Sequence, residues 1–254
     1  MNEVLMEVAD GVATITLNAP ERRNAFTAGM VEELISVCDA VDGNPDIGAV
    51  VLMAKGDAFC AGAHRAVLEA VGHDPTSPEH YRALNLMYAG FVRVGALLPP
   101  TVAAVRGHVV GAGMNLMLAT DLRIVSQTAR IVSGFLRIGI HPGGGHFQLL
   151  GRVAGREAAA AMSLFGAEID GRRAEELGLA WTAVPDADVE AVAMHLARQA
   201  ATDPELARGT VKSFRLELGP PALSWQTALE VEHAVQLWSL RRRSLSSPTR
   251  TPPA

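Results

Sequence analysis

The sequence contains only two cysteines, Cys38 and Cys60, in 254 residues. Two cysteines cannot form the disulfide framework of a small secreted protein, and their spacing is not that of a metal site. The sequence also lacks a long apolar run, because stretches such as Ile47–Ala54 fall far short of the roughly 18–20 residues that cross a bilayer. The first ten residues carry acidic side chains and no extended apolar region, which argues against a signal peptide. We therefore expect a soluble, cytoplasmic protein that does not act at a membrane.

An excess of positive charge is also missing. The chain has 22 basic and 27 acidic residues and a net charge of −5, and no RNP, zinc-finger or helix-turn-helix pattern occurs, so we expect no nucleic-acid partner. The only dense basic run is Arg241-Arg242-Arg243. Apolar residues make up 49% of the chain and charged residues 19%, which favours a sizeable core over extensive disorder.

Strand and helix patterns alternate in the first half of the chain. Val4–Val8 and Gly11–Leu17 are rich in β-branched residues and are separated by Asp10-Gly11, which predicts a β-hairpin. Helical spacing predicts helices over Ala28–Val41 and Gly111–Ala119. Apolar runs typical of buried strands lie between these helices, at Ala49–Ala54 and Thr101–Arg106, and after the second helix, at Leu122–Ser126. Buried strands that alternate with helices predict an α/β protein with a parallel sheet.

The second half of the chain is predominantly helical in pattern. The predicted helices are Glu157–Phe165, Arg173–Leu177, Asp188–Ala200 and Pro204–Leu216. Asp203-Pro204 is a strong start signal, since an acidic N-cap precedes a proline in the first turn. Residues 244–254 have no periodicity and several prolines, which predicts a disordered tail. We divide the chain into a core of residues 1–195, a C-terminal helical region of residues 196–243, and this tail.

Two segments share one local pattern, in which a buried strand leads into a loop of small residues before a helix. The loops are Phe59–Ala63 and Gly107–Gly113. Small residues let a ligand atom approach backbone N–H groups closely, and a helix that begins near Gly111 adds the positive end of its dipole. Two such N–H groups that converge form an oxyanion hole, which suits a thioester oxygen that gains charge in an enolate. Taken singly, a small-residue loop of this kind is more often a plain strand-to-helix connection than a binding site.

Several motifs around these loops follow one another in a recognisable order. They are Asn18–Ala25, Lys55–Ala63, Pro100–Gly107, Gly111–Gly113, Ala119–Arg123, Gly139–Gly145 and Ala174–Ala180. In this order they resemble the enoyl-CoA hydratase/isomerase (crotonase) family over roughly residues 4–240. The resemblance implies a crotonase-like spiral of ββα turns, with a C-terminal helical region that builds homotrimers, commonly paired into hexamers.

The resemblance also implies a ligand and a set of site residues. The ligand is an acyl-CoA thioester, with coenzyme A as part of the substrate and neither a separate cofactor nor a metal. The oxyanion hole is assigned to the backbone N–H groups of Ala63 and Ala112, next to Gly111. The stretch with Arg22 and Arg23 and the loop around Ala61 border coenzyme A, and these arginines or Lys55 are cations suited to its phosphates. Solvated surface charges are the alternative interpretation.

The sequence departs from the family pattern where proton transfer is expected. Hydratases of the family use two glutamates, and alignment of the motifs puts Asn115 and Phe135 in their places. Neither side chain exchanges a proton at neutral pH, although Asn115 is able to position a water by hydrogen bonding. Phe135 makes its part of the pocket apolar and favours an acyl chain. The C-terminal end departs too, because Arg241-Arg242-Arg243 and a proline-rich tail follow the region of Glu232.

Other side chains are candidates to replace the missing acid and base. His141 is the first, with His146 a weaker one, because an imidazole with a pKa near 6.5 serves as either acid or base. A loop histidine bonded to the backbone is the alternative. Arg137 is a candidate to polarise a carbonyl, or else an ion-paired surface arginine, and His64 is expected to orient its loop beside the substrate.

These observations leave two hypotheses for function. The first is an enzyme of fatty-acid metabolism that acts as an enoyl-CoA hydratase or isomerase with altered chemistry, and it depends on the intact oxyanion loops. The second is a non-catalytic acyl-CoA binding protein, or a family member with different thioester chemistry, and it depends on Asn115 and Phe135.

Overall fold

The computed structural model of the protein describes residues 2–218 and 225–246. Its strands are β1 (Val4–Ala9), β2 (Val12–Leu17), β3 (Ala49–Ala54), β4 (Ala58–Cys60), β5 (Thr101–Val105), β6 (His108–Val110), β7 (Leu122–Ser126), β8 (Arg130–Val132), β9 (Glu168–Asp170) and β10 (Thr182–Val184). Its helices are α1 (Ala28–Gly43), α2 (Arg65–His73), α3 (Pro78–Gly95), α4 (Ala112–Ala119), α5 (His146–Leu164), α6 (Gly171–Glu176), α7 (Val189–Ala200), α8 (Pro204–Glu217) and α9 (Trp225–Ser246).

The strands form two sheets. The larger has the order β1-β2-β3-β5-β7-β10, and the smaller has the order β4-β6-β8-β9. The predicted hairpin of β1 and β2 is antiparallel, and the remaining pairs of the larger sheet are parallel. From β3 to β8, consecutive strands alternate between the sheets, so that β3-β4, β5-β6 and β7-β8 each form a two-strand step before a helical segment. This repetition is a spiral of ββα turns and confirms the predicted α/β fold.

The central strands are apolar throughout because helices cover both faces of the larger sheet. Val50 and Leu52 on β3 belong to the main core, together with buried residues of α1 and α3. Ala49 and Val51, which alternate with them, pack with the buried face of α7. A parallel sheet covered in this way has strands without polar alternation, which explains the continuous apolar run in β3.

Two predicted helix starts are confirmed by their caps. The Thr27 hydroxyl accepts a hydrogen bond of 3.2 Å from the N–H of Met30 and begins α1. The Asp203 carboxylate accepts one of 3.0 Å from the N–H of Leu206, and Pro204 is the first residue of α8. Both caps satisfy N–H groups that lack an intrahelical partner.

Two helices differ from the sequence prediction. The predicted helix Glu157–Phe165 is the second part of α5, which begins at His146 and is interrupted at Gly155, where φ is 78°. The N–H groups of Gly145 and His146 donate to the carboxylate of Glu232 on α9, at 2.9 and 3.2 Å. Because this cap comes from a distant helix, no local signal marks the start of α5. Helix α2 is not predicted at all.

The C-terminal region is helical, with α8 and α9 in the described part. Helix α9 packs against α2, and Leu240 lies in a buried cluster with Leu68 and Phe135. The helix continues to Ser246, two residues beyond the predicted start of the tail at Ser244, and residues 247–254 lie outside the described part. The predicted domain boundaries stay predictions. No helix among the described residues is long and apolar enough to cross a membrane.

Candidate active site

A cavity of about 530 Å³ lies where the two small-residue loops meet. Ala61, Gly62 and Ala63 line it from the first loop, and Gly111 and Ala112 line it from the second. Apolar side chains form much of the remaining wall: Leu68, Leu84, Met87, Phe91, Phe135 and Ile140. A cavity of this size and apolar character is typical of small-molecule sites.

The first loop is held by hydrogen bonds that leave one amide unused. Ala61 N–H donates to Arg23 O at 2.9 Å, Phe26 N–H donates to Gly62 O at 2.8 Å, and His64 N–H donates to Phe26 O at 2.9 Å. The bonds engage the backbone of Ala61, Gly62 and His64 but not the N–H group of Ala63. Among the described residues, no acceptor takes the N–H of Ala63, which lies in the cavity wall.

The second loop also contains an amide N–H group that has no acceptor among the described residues. Gly111 is the N-cap of α4 with φ 56°, and its N–H donates to Val132 O at 3.2 Å. Ala112 is the first helical residue, so its N–H has no intrahelical partner. No other described group accepts it. The positive end of the α4 dipole therefore lies in the cavity wall beside a free donor.

Close packing of the two loops depends on glycine. A Cβ on Gly62 would lie 3.4 Å from Ala112 N and 2.8 Å from Val110 O, and φ at Gly62 is +88°. A Cβ on Gly113 would lie 2.2 Å from Cys60 O, which real atoms do not allow. The backbones of the first loop and of α4 are therefore in direct contact, which places both free amides on one side of the cavity.

Comparison with known proteins identifies the family. The sequence model described as "Enoyl-CoA hydratase/isomerase" matches residues 7–243. The chain belongs to the enoyl-CoA hydratase/isomerase family. It is 38% identical to the "Probable enoyl-CoA hydratase EchA14" of Mycobacterium tuberculosis, over 94% of this chain and 98% of that protein. It is 36% identical to the 1,2-epoxyphenylacetyl-CoA isomerase of Escherichia coli, over 92% and 89%.

Solved structures agree with this assignment. The enoyl-CoA hydratase of Bacillus anthracis superposes with a TM-score of 0.78 at 26% identity, over 98% of this chain and 93% of that one. Of the two relatives above, one is named as a probable enoyl-CoA hydratase and the other as an isomerase of 1,2-epoxyphenylacetyl-CoA. Membership in the family thus agrees with the resemblance that the motifs indicate.

In this enoyl-CoA hydratase/isomerase family member, no carboxylate is found among the described residues that line the cavity. The side chain of Asn115, on α4, lies in the wall with both of its polar atoms engaged. Its Nδ2 donates to Gly143 O at 2.9 Å, and its Oδ1 is 2.7 Å from Nδ1 of His146. Phe135 lies in the wall as predicted and is 7% exposed. These contacts fix Asn115 and use two of the four hydrogen-bonding positions that an amide side chain offers.

His146 continues this chain of contacts to a serine. Its Nε2 lies 2.8 Å from the hydroxyl of Ser133, which lines the cavity. His146 is fully buried, and Phe135 contacts it edge to face with ring centroids 5.0 Å apart. Burial lowers the pKa of His146 to about 4 and keeps the imidazole neutral at neutral pH.

The structure does not place His141 in the cavity wall. Its Nδ1 lies 2.6 Å from Pro142 O, and its ring contacts Phe147 edge to face. This arrangement corresponds to the alternative interpretation of a loop histidine bonded to the backbone. Nε2 of His146 therefore contacts a residue of the cavity wall, Ser133, and the acid or base roles proposed for His141 and His146 stay predictions.

The other predicted ligand contacts lie beside the cavity or at its rim. Arg22 forms an ion pair of 2.5 Å with Glu3, and Arg23 is an exposed residue whose carbonyl holds the Ala61 loop. His64 caps α2 by accepting from Ala66 N–H at 3.3 Å, which fits its predicted role in orienting the loop. Arg137 does line the cavity, and it also contacts Glu168 at 3.1 Å. The proposed contacts of these residues with a ligand stay predictions.

Sequence reasoning missed two buried polar residues that shape the site. Asn24 is fully buried, accepts from Ala19 N–H at 2.8 Å and donates to Lys55 O and Ala58 O, and so ties the first loop to the larger sheet. Ser133 is the other. A single serine in an apolar segment carries no local signal, because its role depends on a histidine from a different element.

Proposed function

We propose that the cavity binds an acyl-CoA thioester and that the N–H groups of Ala63 and Ala112 hold its carbonyl oxygen. The observation that carries this proposal is the pair of amides without acceptors in the wall of one apolar cavity. Ala63 and Ala112 are half-buried and line the cavity, so their N–H groups remain available to an oxygen atom of a ligand held there. Donors fixed in this way stabilise charge that develops during a reaction, as when a thioester becomes an enolate.

The rest of the cavity suits the two ends of such a ligand. Leu84, Met87 and Phe91 on α3 offer an apolar surface to an acyl chain. Arg65 and Arg137 lie at the rim, where a cation meets the phosphates of coenzyme A. Coenzyme A enters as part of the substrate, and the proposal requires neither a separate cofactor nor a metal.

The reaction we propose is of the hydratase/isomerase type, with altered proton transfer. Water addition needs a base and an acid, each of which contributes roughly 10²–10⁴ in rate, and the described wall offers no carboxylate for either task. Enolate stabilisation without water addition, as in an isomerisation, makes smaller demands on the site. A non-catalytic acyl-CoA binding protein is the second candidate, and the Asn115 amide in the cavity wall, which does not exchange a proton at neutral pH, favours it.

Two measurements test this proposal together. Calorimetry with a saturated acyl-CoA should show binding that a free carboxylic acid of the same chain length does not reproduce. Incubation with crotonyl-CoA and longer enoyl thioesters, followed by mass spectrometry and by loss of conjugated absorbance, should show isomerisation in preference to hydration. Absence of binding to every thioester would remove the proposal, whereas binding without conversion would select the second candidate.

We also propose that the protein forms homotrimers, alone or paired into hexamers, in the cytoplasm. Many large apolar side chains in the C-terminal part of the chain are exposed: Leu164, Phe165, Trp181, Leu206, Phe214, Leu218, Trp238 and Leu245. Apolar surface of this kind is common at subunit interfaces. Light scattering coupled to size-exclusion chromatography tests the expectation, and a monomer at micromolar concentration would contradict it.

A further inference from the structure

The hydrogen bonds between Asn115, His146 and Ser133 have one consistent direction. Gly143 O is an acceptor only, so the Asn115 atom bonded to it is the NH₂ group and the atom facing His146 is the carbonyl oxygen. Nδ1 of His146 must then carry the proton in that bond. Because the buried imidazole is neutral, its Nε2 presents a lone pair, and the hydroxyl of Ser133 donates to it.

Ser133, His146 and Asn115 therefore have the donor and acceptor order found in a nucleophile, its general base and a group that orients the base. A serine hydroxyl that donates to Nε2, on a histidine whose Nδ1–H is held by an oxygen, is arranged to lose its proton when it attacks a carbonyl. The ring of His146 is further fixed by Phe135, and its backbone N–H by the carboxylate of Glu232. The base therefore has little freedom to leave the serine.

Ser133 lies next to the proposed oxyanion hole. Strands β6 and β8 pair in parallel with Val110 opposite Val132, so Gly111 and Ser133 leave the sheet side by side. A Cβ on Gly111 would lie 3.6 Å from Ser133 O. Ser133, Ala63 and Ala112 line the same cavity, so a thioester carbonyl held by the two amides has the serine in the adjoining wall.

We propose that Ser133 is an acyl-accepting nucleophile, with His146 as its base and Asn115 as the positioning residue, and that the protein hydrolyses an acyl-CoA thioester. This inference rests on the proposed thioester site. Oγ of Ser133 forms a bond to the thioester carbon while its proton passes to Nε2 of His146. The oxygen charge of the tetrahedral intermediate lies on the amides of Ala63 and Ala112. Expulsion of the coenzyme A sulfur, which takes the proton from Nε2, leaves an acyl ester on Ser133.

Water completes the reaction. One water molecule gives a proton to Nε2 of His146 and attacks the ester carbon, and the serine oxygen leaves with that proton. The net change is the conversion of thioester and water into carboxylic acid and free coenzyme A, so that neither an oxidant nor a reductant is needed. The Asn115 oxygen holds the Nδ1–H tautomer of His146 and, unlike a carboxylate, adds no charge to stabilise the imidazolium.

The chain provides a matched control for loss of a buried hydroxyl. Ser163 is as buried as Ser133, at 2% exposure, but it lies in α5 outside the cavity lining. Its hydroxyl has no hydrogen-bond partner within the described residues. Ser163→Ala thus removes the same atom from a comparable environment without touching the proposed relay.

The test uses the full-length protein with butyryl-CoA and decanoyl-CoA, and a thiol reagent to follow release of coenzyme A. Burial raises the pKa values of Cys38 and Cys60 to about 12, so protein thiols contribute little background. We expect Ser133→Ala and His146→Gln to lower the release rate by roughly 10²-fold or more, and Ser163→Ala to leave it unchanged. Intact-mass measurement of the wild-type protein during turnover should show an acyl adduct that maps to Ser133.

The outcomes separate this inference from the proposed function. Wild-type protein that binds decanoyl-CoA in calorimetry, yet neither releases coenzyme A nor carries an adduct, would overturn the inference and leave the thioester site standing. Failure to bind any thioester would overturn both. Release of coenzyme A at the wild-type rate by a folded Ser133→Ala protein would also overturn the inference, as would an acyl adduct on another residue. The adduct is measured on the wild-type protein, so this part of the test does not depend on the folding of a variant.

Discussion

Replacement of Ala112 by proline removes one proposed oxyanion donor and little else. Ala112 is the first residue of α4, where a proline is tolerated because its missing N–H has no helical partner. The preceding residue, Gly111, has φ 56° and ψ −115°, outside the α region that a following proline disfavours. The N–H of Ala112 makes no hydrogen bond to the described protein, so its loss removes no internal contact.

The expected effect on stability is therefore small and the effect on function large. Loss of a single donor of an oxyanion hole costs about 3 kcal/mol of transition-state stabilisation, which corresponds to a roughly 10²-fold lower rate. The ring Cδ also occupies the position of the amide hydrogen, so affinity for a saturated acyl-CoA should fall as well. Ala112→Gly is the control, because it keeps the N–H and costs at most about 1 kcal/mol in helix stability.

The assay compares turnover of the thioester that the wild-type protein converts fastest, together with calorimetry and urea unfolding. We expect the proline variant to unfold near the wild-type midpoint with turnover reduced about 10²-fold, and the glycine variant to retain turnover. A proline variant that is folded and as active as the wild type would show that Ala112 donates nothing to the substrate. The proposed oxyanion hole, and the function based on it, would then be wrong.

Three further predictions concern the framework of the site. Asn24→Ala removes three hydrogen bonds and should lower the free energy of unfolding by about 2–4 kcal/mol in urea, whereas Asn18→Ala, which removes one exposed bond, should change it little. Gly113→Ala places a Cβ 2.2 Å from Cys60 O, so it should lower the melting temperature and turnover together, and an unchanged melting temperature would contradict the close contact. Burial raises the pKa of the Glu232 carboxyl from 4.5 to about 7. The folded protein therefore binds the carboxyl proton more tightly than the unfolded chain does. The free energy of unfolding should decline as pH rises from about 4.5 to about 7. In urea unfolding at successive pH values, Glu232→Gln should make the free energy of unfolding depend less on pH. An equally steep decline in the variant would show that a group other than Glu232 causes it.

The parts of the fold that could be predicted are those whose signals are local. The bounds of β3 and β7 follow from short apolar runs, and the starts of α1 and α8 follow from Thr27 and Asp203-Pro204. The start of α5 could not be predicted, because its cap is a carboxylate 87 residues away in the sequence. Helix α2 was missed since a histidine, an uncommon cap, precedes it.

The same distinction applies to the candidate site. The two loops could be recognised because each contains a cluster of small residues close to a strand: Ala61–Ala63 in the first and Gly111–Gly113 in the second. The relay could not, since His146 and Asn115 are 31 residues apart and only the packing of α4 against α5 brings them together. The preference for His141 over His146 stays a prediction, because position in the sequence does not show which of the two histidine rings lies closer to the cavity.

The position of α9 has a consequence for how the protein acquires its site. Leu240 packs with Leu68 and Phe135 beside the cavity, and Glu232 holds the start of the helix that carries His146. These contacts come from α9, which is synthesised after the strands and helices of the spiral. A nascent chain in which the spiral has already folded would still lack part of its pocket, so newly made protein becomes competent for its ligand only once α9 has packed.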